Sequence, residues 1–232
     1  MVNYFILSIL LVFCAALPDA GAAEIDGVGG ASYSVKLTSL KEMRQRAVFR
    51  STVRQEEDFS CGSAAIATLL TYHYRQPVTY REVMEAMFVK GDQAKIRREG
   101  FSLLDMKNYL ESHGYKADGF KAPLDKLVAT STPAITLIRD NGYNHFVVVK
   151  GLRDGKVLLG DPAVGARVLE SAEFDKLWVS RILFVIHSHH DLAQFNVADH
   201  WRVRPAALLD QAISRESLAA ITLLRPDPLT DF

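Results

Sequence analysis

Apolar residues recur at helical spacing between residues 61 and 112, and from residue 133 onward they fall into short runs of the β type. The first helical stretch, Cys61-Gly-Ser-Ala-Ala-Ile-Ala-Thr-Leu-Leu, continues to about Tyr74 and stops before Pro77. Thr79, with Glu82 three residues later, is a capping box, and Val83, Met84 and Met87 make the inner face of the helix it opens. Ser102 with Asp105 starts a further helix that carries Leu103, Leu104, Met106 and Leu110 and ends at Gly114. Residues 123–129 add one more helical turn. The period then changes. Pro133-Ala-Ile-Thr-Leu-Ile138 reads as a strand, Asn141-Gly142 as a turn and His145-Phe-Val-Val-Val149 as the antiparallel partner. A second turn, Asp154-Gly155, precedes Lys156-Val-Leu-Leu159, and strands at 166–169 and 181–186 flank a short helix at 173–178. Helices followed by a meander of strands predict an α+β domain, with N-terminal helices packed on a C-terminal antiparallel sheet.

The ends of the chain read differently. Residues 4–17 are apolar except for Ser8, and Pro18 and the run Ala20-Gly-Ala-Ala23 follow. This is the pattern of a secretory signal cleaved after Ala22 or Ala23, although no Lys or Arg precedes the apolar run. The expected organisation is a signal peptide at 1–23, an N-terminal arm at 24–50, the domain at 51–188 and a helical extension at 189–232, whose 205–224 segment is rich in Ala and Leu. The expected location is the periplasm, with membrane attachment only where the signal stays uncleaved. The chain has 27 basic and 27 acidic residues, a balance that argues against nucleic acid or an anionic membrane as partner. No GxxxxGK[ST] loop is present, and no cofactor or metal is called for.

Cysteine usage turns this outline toward chemistry. Cys14 lies in the signal, so its removal leaves Cys61 alone and without an internal disulfide partner. A spare thiol in an oxidising compartment is a liability unless it has work to do. Cys61 also opens a helix, where first-turn amides and the helix dipole stabilise a thiolate, so a depressed pKa is expected. A cysteine nucleophile needs a base and a group that orients the base. His145 lies at the start of a strand after a tight turn, and Asp161, in Gly160-Asp-Pro162, ends the next strand within reach of it. Gln55, six residues before Cys61 on the loop feeding the helix, can hold an oxyanion together with the Cys61 backbone N–H. Each of these residues alone has an ordinary structural explanation. Their order, Gln–Cys–His–Asp, with Cys at a helix start and His and Asp at strand ends, is far more specific.

Gln55…Cys61-Gly62-Ser-Ala-Ala, His145-Phe-Val-Val and Gly160-Asp161-Pro162 resemble the papain-like cysteine peptidases that cut leader peptides after a double glycine. The resemblance covers about residues 51–188. It implies a papain-like fold, a catalytic Cys61 and His145, an orienting Asp161, an oxyanion-binding Gln55 and a peptide or protein substrate with a double-glycine motif. The chain differs from the transporter-borne members in having no ATPase motif. It is more similar to exported stand-alone members encoded with functional-amyloid secretion systems, which implies secretion-system components as partners. Two other readings compete. One is a non-catalytic peptide-binding or chaperone module on the same fold. The other is a metal-dependent hydrolase built on His187-Ser-His189-His190-Asp191, a partial HxHxDH match in which Leu192 replaces the final histidine. Gly27-Val-Gly-Gly30-Ala31 is also a candidate site of self-processing after Gly30.

Overall fold

The computed structural model describes residues 22–26, 32–36 and 40–203. The signal through residue 21, the Gly29-Gly30 pair and the extension from residue 204 onward lie outside the described residues. Strands β1 (Ala22–Asp26) and β2 (Ser32–Lys36) pair antiparallel as a two-stranded ribbon. The helices are α1 (Leu40–Val48), α2 (Cys61–His73), α3 (Tyr80–Lys90), α4 (Gln93–Glu99) and α5 (Leu103–Ser112). Both expected capping boxes are present: the Thr79 amide donates to the Glu82 carboxylate at 2.8 Å, and the Ser102 amide to Asp105 at 2.8 Å. Among the described residues no helix is long and apolar enough to cross a membrane.

Helix α2 is buried along nearly its whole length; Ala64, Ala65, Ile66, Ala67 and Leu69 are all at 0% exposure. Its small residues let α3, α5 and the sheet pack against it closely, so it carries no polar stripe. At Gly62 an added Cβ would come within 3.1 Å of the Phe101 Cβ. The strands are β3 (Ala117–Lys121), β4 (Ala134–Asp140), β5 (Tyr143–Arg153), β6 (Lys156–Asp161), β7 (Gly165–Glu170) and β8 (Ile182–Ile186). Helix α6 (Asp125–Thr130) follows β3 and α7 (Ser171–Leu177) follows β7. The order across the sheet is β3-β8-β4-β5-β6-β7, with antiparallel pairing throughout. Turns with positive φ at Asn141 and Gly142, and at Asp154 and Gly155, join β4–β5 and β5–β6 as the dipeptides predict.

The fold is the expected α+β, helix-first arrangement, with one departure from a meander: β8 inserts between β3 and β4. Composition explains it. Ile182-Leu-Phe-Val-Ile is apolar at every position and gains by being covered on both faces, whereas Ala117-Asp-Gly-Phe-Lys is largely exposed and suits the edge. Phe146, Val148, Ile135 and Phe184 face the α2 core, while Val147, Val149, Leu159 and Leu183 face a second cluster under α6 and α7.

Candidate active site

Cys61 is the first residue of α2, reached through a 3₁₀ turn at Asp58–Ser60. That turn is held by side chains: the Ser60 hydroxyl donates to the Glu57 carbonyl at 2.6 Å and accepts from the Tyr80 hydroxyl at 2.8 Å. Cys61 is 6% exposed. Burial pushes its thiol above the ordinary value, against the pull of the Phe146, Gly62 and Cys61 backbone amides, and the Asp161 charge adds to the rise. The expected depressed pKa is therefore corrected for the unliganded protein. The helix start supplies amides as anticipated, but desolvation of the sulfur outweighs them.

His145 and Asp161 stand on adjacent strands. His145 is the third residue of β5 and Asp161 the last of β6, and Val148 pairs with Gly160, which brings the two side chains into diagonal reach. His145 Nε2 lies 3.0 Å from Asp161 Oδ2, with both residues buried. Asp161 Oδ1 accepts from the Ala163 amide at 2.9 Å and from the Val164 amide at 3.4 Å. Arg167 forms an ion pair with Asp161 Oδ2 at 3.1 Å and a hydrogen bond to Asp140 at 2.8 Å. Burial alone would raise the Asp161 carboxyl; the bond to His145, the Ala163 amide and the Arg167 charge together hold it below its ordinary value. Where an ionised Asp161 accepts from Nε2–H of the uncharged ring, the lone pair stands on Nδ1.

That nitrogen is buried and makes no hydrogen bond among the described residues. The sulfur meets β5 through the amide of Phe146, the residue next to His145. The structure thus gathers Cys61, His145 and Asp161 at one end of the sheet without a Cys61–His145 hydrogen bond. Gln55 is tied to the same end by its backbone, whose N–H donates to the Pro162 carbonyl at 3.0 Å. Among the described residues its side-chain nitrogen reaches only the Glu57 carbonyl, at 3.4 Å, and its Oε1 is buried without a partner.

Residues that the sequence pattern did not single out surround these four. The Tyr143 ring stacks on His145 with centroids 5.8 Å apart, and its hydroxyl donates to the Asp58 carbonyl at 2.7 Å. Its place two residues before His145, on one strand face, was the only available signal. Lys150, fully buried on β5, donates to the Ser51 carbonyl at 2.5 Å and to the Ser51 hydroxyl at 2.6 Å. Burial and the nearby Arg50 charge bring Lys150 down to about 7. A cleft of about 380 Å³ opens on Cys61 between Phe59, Gly100 and Phe101 on one wall and Leu137, Tyr143 and Phe146 on the other. The histidine cluster lies elsewhere: His187 pairs with Asp118 at 2.8 Å and His189 packs on Tyr115. No group of three or more His, Cys, Asp or Glu side chains with metal-holding geometry occurs among the described residues.

Residues 50–190 match the model of the Peptidase C39 family. The probable functional amyloid protease FapD of Pseudomonas fluorescens is 38% identical over 185 residues, covering 79% of this chain and 80% of that one. The protein of the same description from Pseudomonas aeruginosa is 37% identical over 188 residues, covering 80% of each chain. Among solved structures, a double glycine motif protease from an AMS/PCAT transporter, crystallised with the leader peptide, aligns at a TM-score of 0.46 and 26% identity. The alignment covers 58% of this chain and 90% of that one.

Proposed function

This chain belongs to the Peptidase C39 family and is a cysteine peptidase; from that premise we propose that Cys61 is its nucleophile and His145 its acid–base. In this reading Asp161 orients the base, and Gln55 with the Cys61 backbone N–H binds the oxyanion. One observation carries it: the Nε2 of His145 is held by an ionised Asp161 while its Nδ1 stays buried and unpartnered at the end of the sheet that also holds Cys61. A base with one nitrogen fixed and the other free is prepared to take a proton. Because burial keeps the thiol protonated at rest, the proton moves to Nδ1 when substrate fills the cleft. The thiolate attacks the peptide carbonyl, and the charge that develops on oxygen falls to the Cys61 amide and the Gln55 amide group. Nδ1–H then protonates the leaving amine, and water activated by the same nitrogen hydrolyses the acyl-enzyme.

The substrate we assign is a peptide or protein cut after a double glycine. The exported, periplasmic setting is supported by the signal pattern at 1–23, and a role beside secretion-system components by the names of the two Pseudomonas relatives. The test is incubation of the purified protein with peptides that carry Gly-Gly, beside variants with Ala at either glycine, read by intact mass. Cleavage after the second glycine that disappears in Cys61→Ala is the expected result. Tight binding of the same peptides without cleavage would move the assignment to a binding or chaperone module.

A further inference from the structure

We propose that Tyr143 is a specificity-determining and positioning residue: its side chain ties the two walls of the cleft across the approach to Cys61 and holds the His145 ring. The inference rests on the peptidase reading above. Tyr143 rises from the sheet wall, and its hydroxyl donates to the carbonyl of Asp58 on the helical wall at 2.7 Å. Asp58 opens the 3₁₀ turn that runs directly into Cys61, so the bond joins β5 to the backbone three residues before the nucleophile. Tyr143 lines the same cleft as Cys61. Tyr143 is 49% exposed while Cys61 beneath the cleft is 6% exposed, so the phenol presents one face to incoming substrate. Its other face lies on the imidazole, with the planes inclined at only 21°.

A single side chain thus has two tasks. The hydroxyl limits how far the walls part, which leaves room beside the sulfur for glycine and crowds any residue with a larger side chain. The ring restricts rotation of His145 about its Asp161 bond, which fixes the direction of Nδ1. The two tasks separate chemically, because Tyr143→Phe removes only the hydroxyl and Tyr143→Ala removes both.

Two ratios test the proposal, measured on the intact chain and on both variants, with a thermal melt to show that each is folded. The first is the rate of Cys61 alkylation by a bulky fluorescein maleimide relative to iodoacetamide, which needs no substrate. The second is kcat/KM for a Gly-Val site relative to a Gly-Gly site. Tyr143→Phe should raise both ratios about fivefold, the worth of one neutral hydrogen bond. Tyr143→Ala should raise them further and lower kcat on Gly-Gly below that of Tyr143→Phe at similar KM. Ratios unchanged in both folded variants overturn the tie. If no form cuts any peptide, the substrate assignment fails, and the alkylation ratio still decides the role of Tyr143.

Discussion

The sheet-borne and helix-borne parts of the site are finished to different degrees. On the sheet, Asp161 meets His145, two turn amides and Arg167, and Arg167 is held in turn by Asp140. On the helical side the Cys61 thiol is protonated by burial, and among the described residues Gln55 Oε1 has no partner and the Gln55 amide makes one long contact. The difference is instructive. In the proposed mechanism the base is oriented before substrate arrives, whereas the nucleophile and the oxyanion donor wait for it. In that mechanism such a division keeps the Cys61 thiol unreactive until a peptide displaces water from the cleft.

The comparison breaks most sharply at the nucleophile. Cys61→Ala should abolish peptide cleavage, by about 10⁴-fold or more, while circular dichroism stays native because a small helix-start residue contributes little packing. Next comes the prepared side: Asp161→Asn should cost about 10³-fold in kcat, since the amide no longer fixes the His145 tautomer or balances its charge. A loss no larger than that of a surface substitution would remove Asp161 from the mechanism. On the waiting side, Gln55→Ala should lower kcat about a hundredfold with little change in KM, the mark of a group that binds only the developing oxyanion.

Smaller effects sharpen the contrast further. Arg167 helps hold the Asp161 carboxyl down, and a carboxyl lowered on folding contributes stability that is lost as pH falls through its folded pKa. Arg167→Met should therefore shift acid unfolding to higher pH, which a melt series from pH 3 to pH 6 reads directly. Lys150 ties β5 to Ser51, at the root of the Gln55 loop, and its pKa is reduced from 10.5 to about 7 by burial. Above that value the unfolded chain binds the extra proton, so stability contributed through Lys150 rises with pH from about 7 toward 10.5. Lys150→Met should flatten the rise in melting temperature between about pH 7 and 8.5; an unchanged slope would mean that Lys150 is not the group titrating.

Much of this was legible from local pattern. Thr79 with Glu82, Ser102 with Asp105, Asn141-Gly142 and Asp154-Gly155 each specify their own geometry, so the helix starts and hairpins emerged where the residues place them. The pairing of His145 with Asp161 follows from one hairpin and was readable for the same reason. What escaped the sequence depends on distant partners. The hydroxyl of Tyr143 bonds to a residue 85 positions away, and Arg167 reaches Asp140 across the sheet. Helix α4 buries only Ile96 and strand β3 contains Asp118 and Gly119, so neither shows a clear period. The thiol went wrong for a related reason. A helix start is a local fact, whereas burial of the sulfur is decided by the whole fold.

The two oxygens of Asp161 divide their attention, with Oδ2 turned to His145 and Oδ1 to the amides that close the turn into β7. Folding and activity therefore share one carboxylate. In the proposed mechanism, a chain whose helices have formed but whose β6–β7 hairpin is still open carries a thiol with no oriented base. Cleavage in that mechanism then waits on closure of the β6–β7 turn, because an open hairpin leaves Asp161 Oδ1 without the amides that hold it.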